Sequence, residues 1–178
     1  ETFTGSNEAL TMVLGAEAAE AGIKTVNLIT GTNVNSITLG AGFTAATTTV
    51  ALTDNTDTIA AASYTGALTV TIAEDSLTSG DTITGGTGAD TLTITFDGNI
   101  SDFVEDAEMA NVTKVETIKT ATDAIGKLEL HDSNVAKDGS ITINAVKNTS
   151  AAFTLDGSAE LDGTITYVGG AGVDTLDG

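Results

Sequence analysis

Apolar and polar residues alternate along most of this chain in short runs. Thr25 to Ile29, Ser36 to Leu39, Thr48 to Leu52, Ala67 to Ile72, Thr91 to Phe96, Lys127 to Leu130, Ser140 to Ile143 and Thr164 to Val168 are mostly β-branched and change character at every second residue. That period predicts strands with one buried and one exposed face. Turns rich in Gly, Asn, Asp and Ser separate the runs at intervals of about 8 to 15 residues, a spacing that suits stacked coils or a sandwich better than βαβ units. Two stretches break the pattern. Glu8 to Ala21 and Ser101 to Ala110 are rich in helix formers, the second with Ser101 as an N-cap and acids in its first turns.

The chain also repeats itself. IKTVNLI at Ile23 to Ile29 returns as VTKVETI at Val112 to Ile118, a shift of 89 residues, and GGTGADTL at Gly85 returns as GGAGVDTL at Gly169, a shift of 84. Each helix-prone stretch lies just before its IKTV-like partner. The expected organisation is two tandem units, 1–95 and 96–178, each a short helix, strands and then a glycine-aspartate loop. Glycine-aspartate loops nine residues apart stack naturally, so the fold expected is all-β, a parallel β-solenoid or β-roll with two short helical inserts. Glu1 is not a Met and Gly178 falls within a glycine-aspartate motif, which reads as a piece of a longer array.

Charge narrows the partners. The 178 residues carry 25 Asp and Glu against 6 Lys and no Arg, a formal net charge of -19. Nucleic acid is excluded as a partner, because phosphate neutralisation needs clustered basic residues. The carboxylates suit high-salt solubility or a hard cation. Charged residues are only 17% of the chain and Thr is close to a fifth, so it is no disordered acidic tail. Cys is absent, which removes disulfides and thiolate chemistry. Apolar windows such as Ile59 to Ala62 are too short to enter a membrane.

Candidate chemistry centres on G-G-x-G-x-D-x-L-x, which occurs from Gly85 and from Gly169. Those nine residues resemble the calcium-binding nonapeptide of RTX proteins. In such a turn glycines take positive φ and let carbonyls point inward, the Asp supplies a carboxylate and the Leu enters the core. Calcium takes six to eight oxygens, so adjacent turns must share each ion. The candidate ligands are Asp81, Gly86, Gly88 and Asp90 in the first unit and Asp162, Gly170, Gly172 and Asp174 in the second. Asp81 lies nine residues before Asp90, but Asp162 lies twelve before Asp174, a departure from the nonapeptide period. Asp97 and Asn99 could serve a further turn, and Asp177 and Gly178 begin another.

NVTKVETI at Asn111 and FTLDGSAELDG at Phe153 widen the likeness to bacterial S-layer and RTX surface proteins. What the resemblance implies is type I secretion, an extracellular cell-surface location and a structural role in a calcium-dependent lattice. The implied partners are copies of the same chain, with lipopolysaccharide or a surface glycan held by other parts of the parent protein. The alternative it implies is an RTX adhesin module that binds a ligand or ice. Threonine rows such as TLTIT at Thr91 could form a flat face, but their irregular spacing offers no regular ladder, and Thr suits exposed strands in any case. No enzyme is expected. His131 is the lone histidine and reads as a surface turn residue, while the pairs Asp54 with Asp57 and Glu74 with Asp75 read as solvated turns. The sequons at Asn99, Asn111 and Asn148 are weak pointers to glycosylation.

Overall fold

The computed structural model describes residues 1–5, 8–28, 34–99 and 103–178. In chain order the elements are β1 (Thr2–Thr4), β2 (Thr11–Leu14), α1 (Ala16–Glu20), β3 (Thr25–Asn27), β4 (Asn35–Leu39), β5 (Thr47–Ala51), β6 (Asp57–Ala60), β7 (Ala67–Ala73), β8 (Thr82–Thr84) and β9 (Thr91–Thr95). They continue as β10 (Phe103–Val104), α2 (Asp106–Met109), β11 (Val112–Thr113), β12 (Thr117–Thr120), β13 (Gly126–Glu129), β14 (Ser140–Asn144), β15 (Phe153–Asp156), β16 (Thr164–Val168) and β17 (Asp174–Asp177).

Among the described residues every strand pairing is parallel, and the chain winds as a β-solenoid. One sheet runs the full length in the order β1-β3-β5-β7-β9-β12-β14-β16. The other wall changes midway. A five-stranded sheet, β11-β8-β6-β4-β2, serves the first coils, and a four-stranded sheet, β10-β13-β15-β17, serves the last. The long sheet crosses from residues 1–95 into 96–178 without a break, because β9 pairs β12. Thr49 aligns with Thr69 and Thr91 with Thr117, while Ile83 aligns with Val112, so one coil takes from 20 to 29 residues. The textual repeats of 84 and 89 residues therefore span several coils.

The period-two pattern builds the core. Inward residues stack like on like: Val26, Val50, Val70, Leu92, Ile118 and Ile143 in the long sheet, and Ile37, Ile59 and Ile83 across the coil. All are essentially sealed from solvent. Each such side chain contributes roughly 1.5–3 kcal/mol through burial. The outward residues are as regular. Thr2, Thr25, Thr49, Thr69, Thr91, Thr117, Thr142 and Thr166 stand in one column, one on each strand of the long sheet. A single threonine column is therefore regular, but no T-x-T ladder forms, because the next outward column reads Thr4, Asn27, Ala51, Thr71, Thr93, Lys119, Asn144 and Val168. Length differences are absorbed at the corners, so the strand register stays constant.

Both helix-prone stretches shrink. Thr11–Leu14, inside the first, is a strand aligned with Ser36–Leu39, because pairing outweighs a weak helical preference. Only Ala16–Glu20 is helical there, with Ala18 and Ala19 against the core. In the second stretch Ser101 lies outside the described residues, as do Ile29 of the first strand run and residues 100 and 102. Glu105 caps α2 and forms a capping box with Glu108. Among the described residues no helix is long and apolar enough to cross a membrane.

Candidate metal and coil-tying carboxylates

The motif aspartates stand at coil corners, just before strands. Asp81 and Asp90 belong to one coil: Asp81 precedes β8 and Asp90 precedes β9 on the opposite wall. Both are buried. Asp90 Oδ1 accepts the N–H of Leu68 at 2.8 Å, and its Oδ2 accepts that of Gly86 at 2.5 Å. Asp81 Oδ1 accepts the Asp57 N–H at 2.6 Å, while Oδ2 accepts the N–H and hydroxyl of Thr78 at 2.7 and 3.0 Å. One coil earlier Asp57 does the same work for the Asn35 N–H (3.1 Å), the Asn35 amide (2.9 Å) and the Thr53 N–H (3.1 Å). Asn35 in turn accepts the N–H of Leu10 at 3.2 Å. A ladder of side-chain oxygens thus ties four successive coils.

These oxygens already face the positive ends of N–H groups, which a cation would have to displace. Burial raises the carboxyl pKa of both Asp81 and Asp90, with the N–H bonds opposing it. As they stand, Asp81 and Asp90 fit a hydrogen-bonding role better than a metal shell.

The motif glycines do not take positive φ. Among the described residues that region is occupied by Gly22, Gly98, Lys114 and Asp138. Gly86 and Gly88 are required for a different reason. A Cβ on either would run into the carbonyl oxygen of Tyr64 or Gly66 in the preceding coil. The second motif repeats the arrangement, with Gly170 against the Asn148 carbonyl and Gly172 against that of Ala151. The carbonyls approach closely, as the sequence suggested, but to pack coil on coil.

Asp174 sits differently. It is partly exposed, and its Oδ1 and the nearby Tyr167 hydroxyl are buried without hydrogen-bond partners. Burial, and then the Asp174 carboxylate, hold the Tyr167 phenol well above its ordinary pKa. Asp162 is exposed and joins residues the sequence did not single out. Carboxylate oxygens of Asp132, Glu160 and Asp162 lie within 4.8 Å of one another. Glu160 Oε1 accepts the N–H groups of Asp162 (3.1 Å) and Gly163 (2.6 Å), whereas Oε2 is buried and unpartnered. Asp132 Oδ1 accepts the Leu161 N–H at 3.1 Å, and Lys137 Nζ lies 3.4 Å from Asp162 Oδ2. Here the donor set is all oxygen, hard and anionic, with one oxygen left over. It suits calcium.

Other residues settle into structural work. Asp57 and Glu74 are buried, which corrects their reading as solvated turns, while Asp54 and Asp75 are exposed. Glu74 Oε1 accepts the Asp97 N–H at 2.7 Å, its Oε2 has no partner, and burial raises its pKa. Asp97 Oδ1 accepts the N–H of Asn99 at 2.7 Å, and the Asp177 carbonyl accepts that of Gly157 at 2.7 Å. His131 caps a short 3-10 turn by accepting the Ser133 N–H at Nδ1, 3.0 Å away. Asn148 is fully buried, its amide bound to Thr120 and to the Ala124 carbonyl, so that sequon offers no accessible nitrogen.

No protein-family model matches this chain, and no curated protein or solved structure matches it.

Proposed function

We propose that the chain is a structural segment of a secreted bacterial cell-surface protein of the S-layer kind, a spacer whose copies assemble in a calcium-dependent lattice. The observation that carries this reading is the coil-to-coil ladder through Asn35, Asp57 and Asp81, continued on the other wall by Asp90. Buried carboxylates join successive coils, an arrangement that suits a stiff spacer. Glycine-aspartate motifs and an acidic surface agree with the family likeness, and an extracellular medium would supply the ion.

Calcium is proposed at Asp132, Glu160 and Asp162, which join the short 3-10 turn at Asp132–Asn134 to the loop before β16. An ion there would offset most of the charge of three crowded carboxylates and engage the orphaned Glu160 Oε2. Binding only to the folded state stabilises by about 2.7 kcal/mol at a hundredfold excess over Kd.

The test is melting in saturating Ca²⁺ and in EGTA, for the wild type and for Glu160→Gln. Calcium should raise the wild-type midpoint and leave the variant unmoved; identical wild-type midpoints would remove calcium from the proposal. Electron microscopy of the parent protein with added Ca²⁺ tests the lattice. Ordered sheets are expected, and dispersed monomers at every calcium level would refute it.

A further inference from the structure

The second wall passes from one sheet to another after β11, and the cleft left there has no part in the calcium or lattice readings. We propose that this cleft binds a zwitterionic ligand of dipeptide size, with a free ammonium at one end and a carboxylate at the other.

The change of wall is what opens the cleft. β11 is the last strand of the five-stranded sheet and pairs only with β8. In the next coil the short 3-10 turn at Asp132–Asn134 stands beside β11 in place of a strand, and the Asn134 amide donates to the Met109 and Val112 carbonyls at 2.7 and 2.8 Å. That plug stops at Val112. Beyond it Lys114 turns left-handed at φ 55°, and its carbonyl oxygen occupies the space that a Cβ on Gly85 would need. The result is a cavity of about 410 Å³ above Gly86, with residues 113–116 on one side and 133–140 on the other. Its size suits a small ligand.

The lining decides which ligand. Val115 and Val135, each 5% exposed, give the cavity an apolar part. Lys114 and Glu116 line it as well, and they form no ion pair with each other. Among the described residues the Lys114 ammonium has no ion-pair or hydrogen-bond partner at all. Glu116 Oε2 accepts the Asp90 N–H at 2.7 Å, which leaves Oε1 for a ligand. Residues two positions apart have Cα atoms separated by at most about 7 Å, close to the span of an extended dipeptide. The hydroxyls of Thr113 and Ser140 stand ready for its amide.

Charge excludes the simpler occupants. At a net charge of -19 the chain repels a ligand that is only anionic, whatever Lys114 offers locally. A ligand that is only cationic meets Lys114 itself. A zwitterion places its carboxylate on Lys114 and its ammonium on Glu116, while an aliphatic side chain covers the two valines.

Titration of the whole chain with alanyl-leucine, followed by amide NMR shifts, tests the proposal. Shifts are expected at Val115 and Ser140. The capped peptide N-acetyl-alanyl-leucinamide, which lacks both end charges, should bind about tenfold more weakly or worse, and Lys114→Gln and Glu116→Gln should each weaken alanyl-leucine by a similar factor. Gln at position 116 keeps an oxygen for the Asp90 N–H. Lys119→Gln, outward on the long sheet, should bind as the wild type does. Should a cleft variant fail to fold, the charged and capped peptides still decide the matter on the wild type. Absence of shifts with alanyl-leucine, equal affinity for the capped peptide, or folded cleft variants that bind as the wild type would overturn the idea. So would acetate or butylammonium alone binding as tightly as the dipeptide.

Discussion

The two glycine-aspartate loops have nearly the same sequence and the same glycine packing, yet one is sealed and the other open. Around Asp90 the next coil closes the loop: Glu116 Oε2 accepts the Asp90 N–H at 2.7 Å, and the Asp90 carbonyl accepts the N–H groups of Glu116 and Thr117. Around Asp174, among the described residues, β17 pairs with β15 on one side only. Its inward neighbour Leu176 is 57% exposed, although Leu155, its partner one coil earlier, is 4% exposed. The same residues therefore make a completed network in one place and a buried orphan oxygen in the other. What differs is the neighbour, not the motif.

Removing the aspartate should separate the loops most strongly. Asp90→Ala strands the N–H groups of Leu68 and Gly86, each worth about 1–3 kcal/mol, so a loss of about 4 kcal/mol is expected in urea unfolding. Asp174→Ala should cost under about 1 kcal/mol, since its Oδ1 has no partner to lose. Equal losses would erase the comparison.

Adding one methyl is the next probe. Gly86→Ala forces a Cβ onto the Tyr64 carbonyl between coils held on both sides, an overpacking cost of about 3 kcal/mol. Gly170→Ala meets the Asn148 carbonyl in the same way, but the β17 that follows it is paired on one side only, so about 1 kcal/mol is expected. Thermal melts of the pair decide it; a larger loss at Gly170 would mean that the terminal coil is as rigid as the middle.

Acidity should give the smallest separation. The Asp81 and Asp90 carboxyls are raised on folding, so they add stability below the ordinary carboxylate range and lose it as pH climbs through their folded values. Asp156 is lowered, first by the Ser158 hydroxyl and then by its N–H, so its contribution is present above that range and fades as pH falls. As pH falls from neutrality into the ordinary carboxylate range, the Asp81–Asp90 coil should gain protection in hydrogen exchange relative to β15. Parallel changes in both would contradict the assigned shifts.

Much of this was legible beforehand. Alternation at Ala67 to Ile72 and Thr91 to Phe96 located strands to within a residue, and the glycine-aspartate spacing pointed to stacked coils. β2 was missed because TMVL sits among helix formers and becomes a strand only by pairing with β4. Asp57 looked like a surface acid because, besides the local Thr53, its partners Asn35 and Asp81 lie 22 and 24 residues away. Glu160 and Asp132 are 28 positions apart and carried no shared signal.

By itself the sequence determined which residues face inward, because a two-residue period is a local property that fixes the side of the sheet at once. It also determined where the chain must turn. Only the tertiary structure decided which carboxylates are buried hydrogen-bond acceptors, which stand together in solvent, and that eight threonines align. Those outcomes depend on the register between coils of unequal length, and register is set by packing between distant residues.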